Sequence, residues 1–257
     1  MSATKSEDKA TLVLYRGWLD PGKHVWSPFV IKLEARLRFA GVSYITECGS
    51  ARTAPKGKIP YLECSEGTLS DSTLIIKQLV ELGRLPDLNA NLSPAAKATD
   101  LALRALLEDK LYFYHTWERW VLNYYTMRDH ILSALSWPIR VLIGSLIYRG
   151  SVRTLHGQGT GRYTADELRA FRREIWESVN GLLVSNKART ASDRPLWVFG
   201  GDEPTEADAT LFGFIVSVLI CTTASESQKL VKEFPVILEY AGRIHDTYFL
   251  DYMKWTL

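Results

Sequence analysis

Strand signals in this chain stop near residue 70. After Ser93 the sequence offers helical periodicity and almost nothing else, so residues 93–257 must bury their apolar side chains with helices alone. Short β-branched and apolar runs occur at Thr11–Tyr15, Val42–Glu47, Ile59–Cys64 and Thr68–Ser70. Ser27-Pro28 opens a helix between the first two, because Ser is a favoured N-cap and Pro at the first helical position lacks only an N–H that would be an orphan there. Phe29, Leu33, Leu37 and Ala40 recur on one face of that helix, and Gly41 ends it. Ser65-Glu66-Gly67 is a hairpin turn. Asp71 and Ser72 cap a second helix that runs through Leu82 and stops at Gly83. The expected order is β-α-β-loop-β-β-α over residues 11–88, a short linker Pro86–Leu92, and an all-α unit over 93–257. Residues 1–10 read as a polar, disordered tail.

In the second unit Ser93-Pro94 predicts a helix to about Thr126. A helical segment over 131–150 is broken at Pro138, HGQGTGRY (156–163) is a Gly-rich loop, and Thr164–Val184 is helical. Thr205-x-x-Asp208 is a capping box opening a compact apolar helix to Thr222, and Phe234–His245 is a last helix. Two apolar stretches call for a membrane check. Ile131–Tyr148 is interrupted by Pro138 and Arg140, and Leu211–Cys221 is about half the ~20 residues a spanning helix needs. Both read as buried helices of a core.

Lys+Arg 31 against Asp+Glu 29 gives a formal charge of +2, too balanced for a protein that grips nucleic acid through phosphates. Cys48, Cys64 and Cys221 are too few and scattered for a disulfide framework and suit a reducing, cytoplasmic compartment. The five histidines show no paired metal spacing, and no Cys-x-x-Cys, Gly-x-Ser-x-Gly or Walker motif occurs, so no metal is expected.

Three local constellations carry chemistry. The Ser27 hydroxyl sits at a helix start, where unpaired N–H groups and the positive dipole end favour an anion and make a nearby thiol easier to ionise; taken alone, the motif is more often a plain helix cap, since Ser-Pro caps are common. Lys58-Ile59-Pro60 begins a strand with a proline. If Ile59–Pro60 is cis, the Ile59 backbone turns toward a cavity and can pair with a bound peptide; the residues leave cis or trans open. Asp71-Ser72 at the second helix start suits a carboxylate beside an ammonium group, the head of an α-amino acid, or simply a cap. The aromatic run holding Tyr112, Trp117, Trp120 and Tyr124 is mostly core by habit, with one stripe available to a cleft.

In that order, within 50 residues and ahead of an all-helical half, these features resemble the glutathione S-transferase family, and in particular its failed-axon-connections and metaxin-like branch. The resemblance rests on SPFVIKLEARLRFAGV, PKGKIPYLE, LSDSTLII, HGQGTGRYTADEL and FGGDEPTEADATLFGFI. It implies a thioredoxin-like N-terminal domain before a helical substrate domain, with glutathione as co-substrate and no metal. Carried over by motif, Ser27 holds the glutathione sulfur with Phe29 beside it, and Ile59 pairs with the cysteinyl backbone next to a cis Pro60. Asp71 and Ser72 hold the γ-glutamyl group, and Lys56 or Lys58 meets the glycyl carboxylate. Tyr15 is a second candidate hydroxyl for the sulfur, its alternative being a core tyrosine. Serine in place of the first Cys of Cys-Pro-Phe/Tyr argues against exchange through a mixed disulfide. Trp26, Tyr112, Trp117, Trp120 and Tyr124 are the expected wall for a hydrophobic electrophile. The resemblance implies a detoxifying transferase that forms a homodimer by family analogy. Its alternatives are a non-catalytic glutathione- or ligand-binding scaffold and a glutathione-dependent ether-cleaving enzyme or isomerase.

Overall fold

The computed structural model describes residues 11–18, 20–188 and 196–256; the expected tail 1–10 lies outside them. The first unit contains β1 (Leu12–Tyr15), α1 (Pro28–Phe39), β2 (Tyr44–Glu47), β3 (Tyr61–Cys64), β4 (Gly67–Ser70) and α2 (Ser72–Glu81). The sheet order is β2-β1-β3-β4, with β1 parallel to β2 and antiparallel to β3, and β3 antiparallel to β4. Leu12, Leu14 and Leu62 face α1 and α2, where they meet Leu33, Leu37, Ile75, Ile76 and Leu79 in a small core.

The helical unit follows: α3 (Pro94–Ala105), α4 (Tyr112–Trp117), α5 (Tyr124–Ile131), α6 (Trp137–Gln158), α7 (Ala165–Lys187), α8 (Glu206–Ile220), α9 (Ser225–Lys232) and α10 (Pro235–Tyr248). α8 is buried along nearly its whole length and anchors the larger core.

α1 belongs to both cores. Leu33 and Leu37 point to the sheet, whereas Ile31 and Ala35 point to α8. The single apolar face read from the sequence is therefore too narrow: Pro28 and Val30 through Leu37 are all buried, charged residues included. Gly213 of α8 makes this sandwich possible, since a Cβ there would lie 2.5 Å from the carbonyl oxygen of Pro28.

Four expectations need correction. The helix from Ser93 does not run unbroken to Thr126; π-helical turns at Leu106–Leu111 and Glu118–Leu122 flank α4, and the chain restarts at Tyr124 after Asn123. The break expected at Pro138 falls just before it, at residues 132–136 between α5 and α6, and Pro138 itself lies in the first turn of α6, where its missing N–H has no intrahelical partner to lose. The glycine-rich 156–163 is not all loop: α6 continues to Gln158 and ends on Gly159 at φ +105, followed by one 3-10 turn, Thr160–Arg162. Leu211–Cys221 is buried as expected, but the Ile131–Tyr148 stretch is not core throughout, because Trp137, Ile139, Leu142 and Leu146 stand in solvent. α9 was not readable from local signals.

The capping box that opens α8 also ties the core together. Asp208 accepts hydrogen bonds from the Thr205 N–H and hydroxyl, the Val198 N–H and the Tyr240 hydroxyl, each at 2.8–3.0 Å. Asp208→Ala removes the cap and strands three buried donors, while the Tyr240 hydroxyl keeps the carbonyl of residue 208 at 3.2 Å. It is expected to cost about 3 kcal/mol and to lower Tm by roughly 6–12 °C, read by thermal melting monitored by circular dichroism; an unchanged Tm would show that the cap does not anchor α8.

Candidate functional site

Strand register gathers the three constellations at one end of the sheet. Tyr15 at the end of β1 pairs with Tyr61 at the start of β3, and Tyr61 pairs with Ser70 at the end of β4. Just beyond this row the chain leaves β1 toward α1, enters β3 through Pro60, and leaves β4 into Asp71. The Ile59–Pro60 bond is cis. Gly17, at φ +91, passes so close to Ile59 that a Cβ would lie 2.6 Å from its Cδ1. One turn into each helix, Lys32 of α1 donates to Thr73 of α2 at 2.8 Å, which holds the two helix starts side by side.

Ser27 caps α1. Its Oγ accepts from the Val30 N–H at 3.4 Å, a long bond that leaves the hydroxyl proton unused. The carbonyl of Trp26, immediately before it, is held from the helical unit: the Ser217 hydroxyl donates to it at 2.6 Å and Arg119 at 3.2 Å, and Arg119 also donates to Ser217 at 3.0 Å. Asp71 caps α2 through Oδ1, which accepts from the Thr73 and Leu74 N–H groups at 3.1 and 3.2 Å. It does so at φ +77, a left-handed backbone unusual for a residue other than glycine. Ser72 is buried at the same helix start, and Lys56 and Lys58 are exposed on the loop before β3.

Tyr15 is placed differently. It stacks on Tyr61, ring centroids 4.3 Å apart, on the sheet face away from α1 and α2. Its hydroxyl donates to Glu63 at 2.9 Å, and that bond raises its pKa. Phe29 turns into the contact between units, edge-on to Tyr112 at 5.0 Å and Phe214 at 6.0 Å.

The expected aromatic wall divides. Tyr112 and Trp120 line a cavity of about 350 Å³ between α4 and α6, together with Phe113, Thr116, Ile147 and Ser151. Trp26 instead stacks on His130 of α5 at 3.5 Å. Trp117 packs on the larger core, and Tyr124 packs on Tyr125 and Tyr148. Tyr112 thus stands between the start of α1 and the cavity.

Sequence reasoning did not single out Lys32, Glu108, Arg119 or Ser217. Lys32 is buried and bonds Glu108 at 2.6 Å; nothing local marks this pair, 76 positions apart, beyond a lysine among the apolar residues of α1. A second buried group braces the loop before Ser27 from behind. Glu34 accepts from Tyr252 at 2.6 Å and faces Arg16, Arg38 bonds Asp251, and the Met253 N–H donates to Gly22 at 2.7 Å. His24 is enclosed by Phe212, His245, Phe249 and Tyr252, and neither of its ring nitrogens finds a partner among the described residues. Also among the described residues, no group of three or more His, Cys, Asp or Glu is placed to hold a metal ion.

Comparison with known proteins agrees with the two-unit fold. The family model for the glutathione S-transferase N-terminal domain matches residues 28–127, and that for the glutathione S-transferase C-terminal domain matches 194–244. Failed axon connections of Drosophila melanogaster is 24% identical over 95% of this chain, which spans 60% of that relative's length. The isoprene-epoxide–glutathione S-transferase of Rhodococcus sp. (strain AD45) is 26% identical over 86% of this chain and 92% of its own. Metaxin-2 of Mus musculus is 22% identical over 84% and 79%. Among solved structures, the glutathione transferase GSTFuA2 of Phanerochaete chrysosporium superposes with a TM-score of 0.58 at 16% identity, covering 93% of this chain and 98% of its own, a likeness of fold.

The packing around His24 makes stability depend on acid. Burial is the main cause of its pKa falling to about 3, with the neighbouring His245, Arg16 and Arg38 adding to it. The folded chain keeps His24 neutral while the unfolded chain protonates it below its ordinary value near 6.5. Stability is therefore complete above that value and falls as pH drops from about 6.5 toward 3, by about 1.4 kcal/mol per unit. His115, lowered by burial, acts in the same direction. Urea unfolding at pH 7 and about pH 5 is expected to differ by about 2 kcal/mol on account of His24 alone, and His24→Leu is expected to remove that share. Asp208 and Glu34, carboxyls raised by burial, act in the opposite direction, so a His24→Leu chain with the same difference between the two pH values as the wild type would refute the assignment.

Proposed function

The chain belongs to the glutathione S-transferase family, and from that premise we propose that it binds glutathione at the edge formed by Ser27, Ile59 and Asp71-Ser72 and activates its thiol for attack on a hydrophobic electrophile. The observation that carries this reading is the shared row of Tyr15, Tyr61 and Ser70, which brings two capped helix starts and a cis X-Pro bond to one end of the sheet.

The donor set suits a tripeptide with a thiol, two carboxylates and one ammonium group. The start of α2, with the Ser72 hydroxyl, suits the γ-glutamyl carboxylate, and Asp71 the ammonium. The Ile59 backbone beside Pro60 suits antiparallel pairing with the cysteinyl residue, and Lys56 or Lys58 the glycyl carboxylate. At Ser27 the unused hydroxyl proton is free to donate to sulfur, and the positive end of α1 adds to it. Both favour thiolate over thiol and so lower the thiol pKa. The engagement of the Tyr15 hydroxyl with Glu63 supports Ser27 over Tyr15 for this role.

In the reaction the thiol proton leaves to solvent and the sulfur lone pair forms a C–S bond. The electrophile's leaving group, or the oxygen of an opened ring, departs with the electron pair of the broken bond. No protein nucleophile is needed; the rate comes from thiolate stabilisation and proximity. The cavity lined by Tyr112 and Trp120 supports a hydrophobic partner. An epoxide is the first electrophile to try, given the substrate in the name of the Rhodococcus relative. One observation favours a second reading, ligand binding without turnover: Trp26 and Trp117 are occupied in packing, which narrows the aromatic wall.

The test joins calorimetry with kinetics. Glutathione is expected to bind with measurable heat. Ser27→Ala is expected to lower kcat/KM for an epoxide or an activated aryl halide roughly 10- to 100-fold and to move the rising limb of the pH–rate profile up by about one unit. Unchanged turnover would remove Ser27 from the chemistry, binding without conjugation would favour the second reading, and absence of heat would exclude both.

A further inference from the structure

Every Asp, Glu, Lys or Arg between Asp129 and Asp166 is an arginine: Arg140, Arg149, Arg153 and Arg162. α6 fills most of that interval. Its inner side is engaged by the protein, with Gly144 against Arg128 and Ile147 and Leu155 lining the cavity. Its outer side is sorted along the axis. Ile139, Leu142 and Leu146, spaced three and four residues apart, share one stripe, which Arg149 and Arg153 continue. Ile139 is 49% exposed, Leu142 65% and Leu146 60%, and among the described residues no carboxylate pairs with Arg149 or Arg153. A contiguous apolar patch of this kind marks an interaction surface.

We propose that this face docks the protein on an anionic bilayer surface. α6 lies in the interfacial plane, with Ile139, Leu142 and Leu146 in the headgroup–acyl boundary and Arg149 and Arg153 on lipid phosphates and carboxylates. An apolar stripe continued by arginine and free of acid is the chemistry of a helix that rests on a membrane. The helix does not span it: three arginines interrupt it, its inner side is packed on the protein, and no single helix among the described residues is long and apolar enough to cross. A second copy of the chain suits the face poorly. Paired antiparallel along the whole stripe, each arginine would be buried on the other copy's apolar half with no counter-ion; paired parallel, arginine would face arginine; and a register that overlaps only the apolar halves leaves the arginines without a role. This inference is independent of the glutathione reading.

The test is co-sedimentation of the purified full chain with vesicles of phosphatidylcholine alone and of phosphatidylcholine with phosphatidylserine, at low and high salt. Binding to the anionic vesicles, weak binding to neutral ones and loss in high salt are expected. L142E/L146E is expected to abolish binding, and R149Q/R153Q to lower partitioning roughly 25-fold, about fivefold per arginine. All four positions are exposed or partly solvated on the outer stripe, and unchanged circular dichroism and melting check that the variants fold. Failure of the folded wild-type chain to bind anionic vesicles, or variants that bind as well as wild type, would overturn the proposal. A concentration-dependent dimer lost in L142E/L146E without vesicle binding would assign the face to a second copy. Capture of polyglutamate in place of vesicles would assign it to an acidic protein.

Discussion

The two units are joined by the press of α1 against α8 at Gly213, and much else follows from it. With the carbonyl of Pro28 where a Cβ of residue 213 would stand, α1 has no solvent face, and its charged residues have to find partners inside. Each finds one on a different part of the chain. Lys32 meets Glu108 and Thr73, Arg36 meets Glu206 and the carbonyl of Pro86, and Glu34 meets Arg16, Tyr44 and Tyr252. Buried ion pairs add little net stability, but losing one partner costs about 3–5 kcal/mol. Their main effect is to exclude other rotations and registers of α1. Since Ser27 is the cap of that helix, the packing that seats α1 also fixes the position of its hydroxyl.

How far the sequence was legible follows from where each signal lives. The caps at Ser27, Asp71, Thr164 and Thr205 depend on side chains bonding backbone two or three residues away, so the elements they open were readable. α9 was not, because its cap is tertiary: Glu118, more than 100 positions earlier, accepts from the N–H groups of Glu226 and Ser227. The π-helical turns around α4 are likewise imposed by what the aromatic run packs against, which a pattern of aromatic residues does not encode.

The site divides in the same way. The two helix starts and the proline-led strand are local, and the strand register needed only alternation to bring them to one edge. The orientation of large side chains is long-range. The Tyr15 hydroxyl turns to Glu63 because Tyr61 stacks beneath its ring, and Trp26 turns to His130 because Ser217 and Arg119, each at least 90 positions away in sequence, hold its carbonyl. An apolar helix also reads the same from sequence whether its outer side meets a core or something outside the molecule. α6 was therefore mistaken for a wholly buried one.

That helix connects the two proposals physically. Ile147, Gly150, Ser151 and Leu155 look inward on the cavity behind Tyr112, while Leu142, Leu146, Arg149 and Arg153 occupy the outer stripe of the same α6. A hydrophobic electrophile partitions into a bilayer by an apolar transfer free energy of about 0.8 kcal/mol per buried CH₂, and Tyr112, Phe113, Trp120, Ile147 and Leu155 offer it apolar surface in the cavity. For a chain resting on α6, the electrophile's reservoir and its reaction cavity are separated by the thickness of one helix. Glutathione, with three charged groups, stays in water on the side of the sheet edge. On these two readings the contact of Phe29 with Tyr112 is the junction between the glutathione edge and the cavity, and it is there that sulfur and electrophile have to meet, since the rate rests on their proximity.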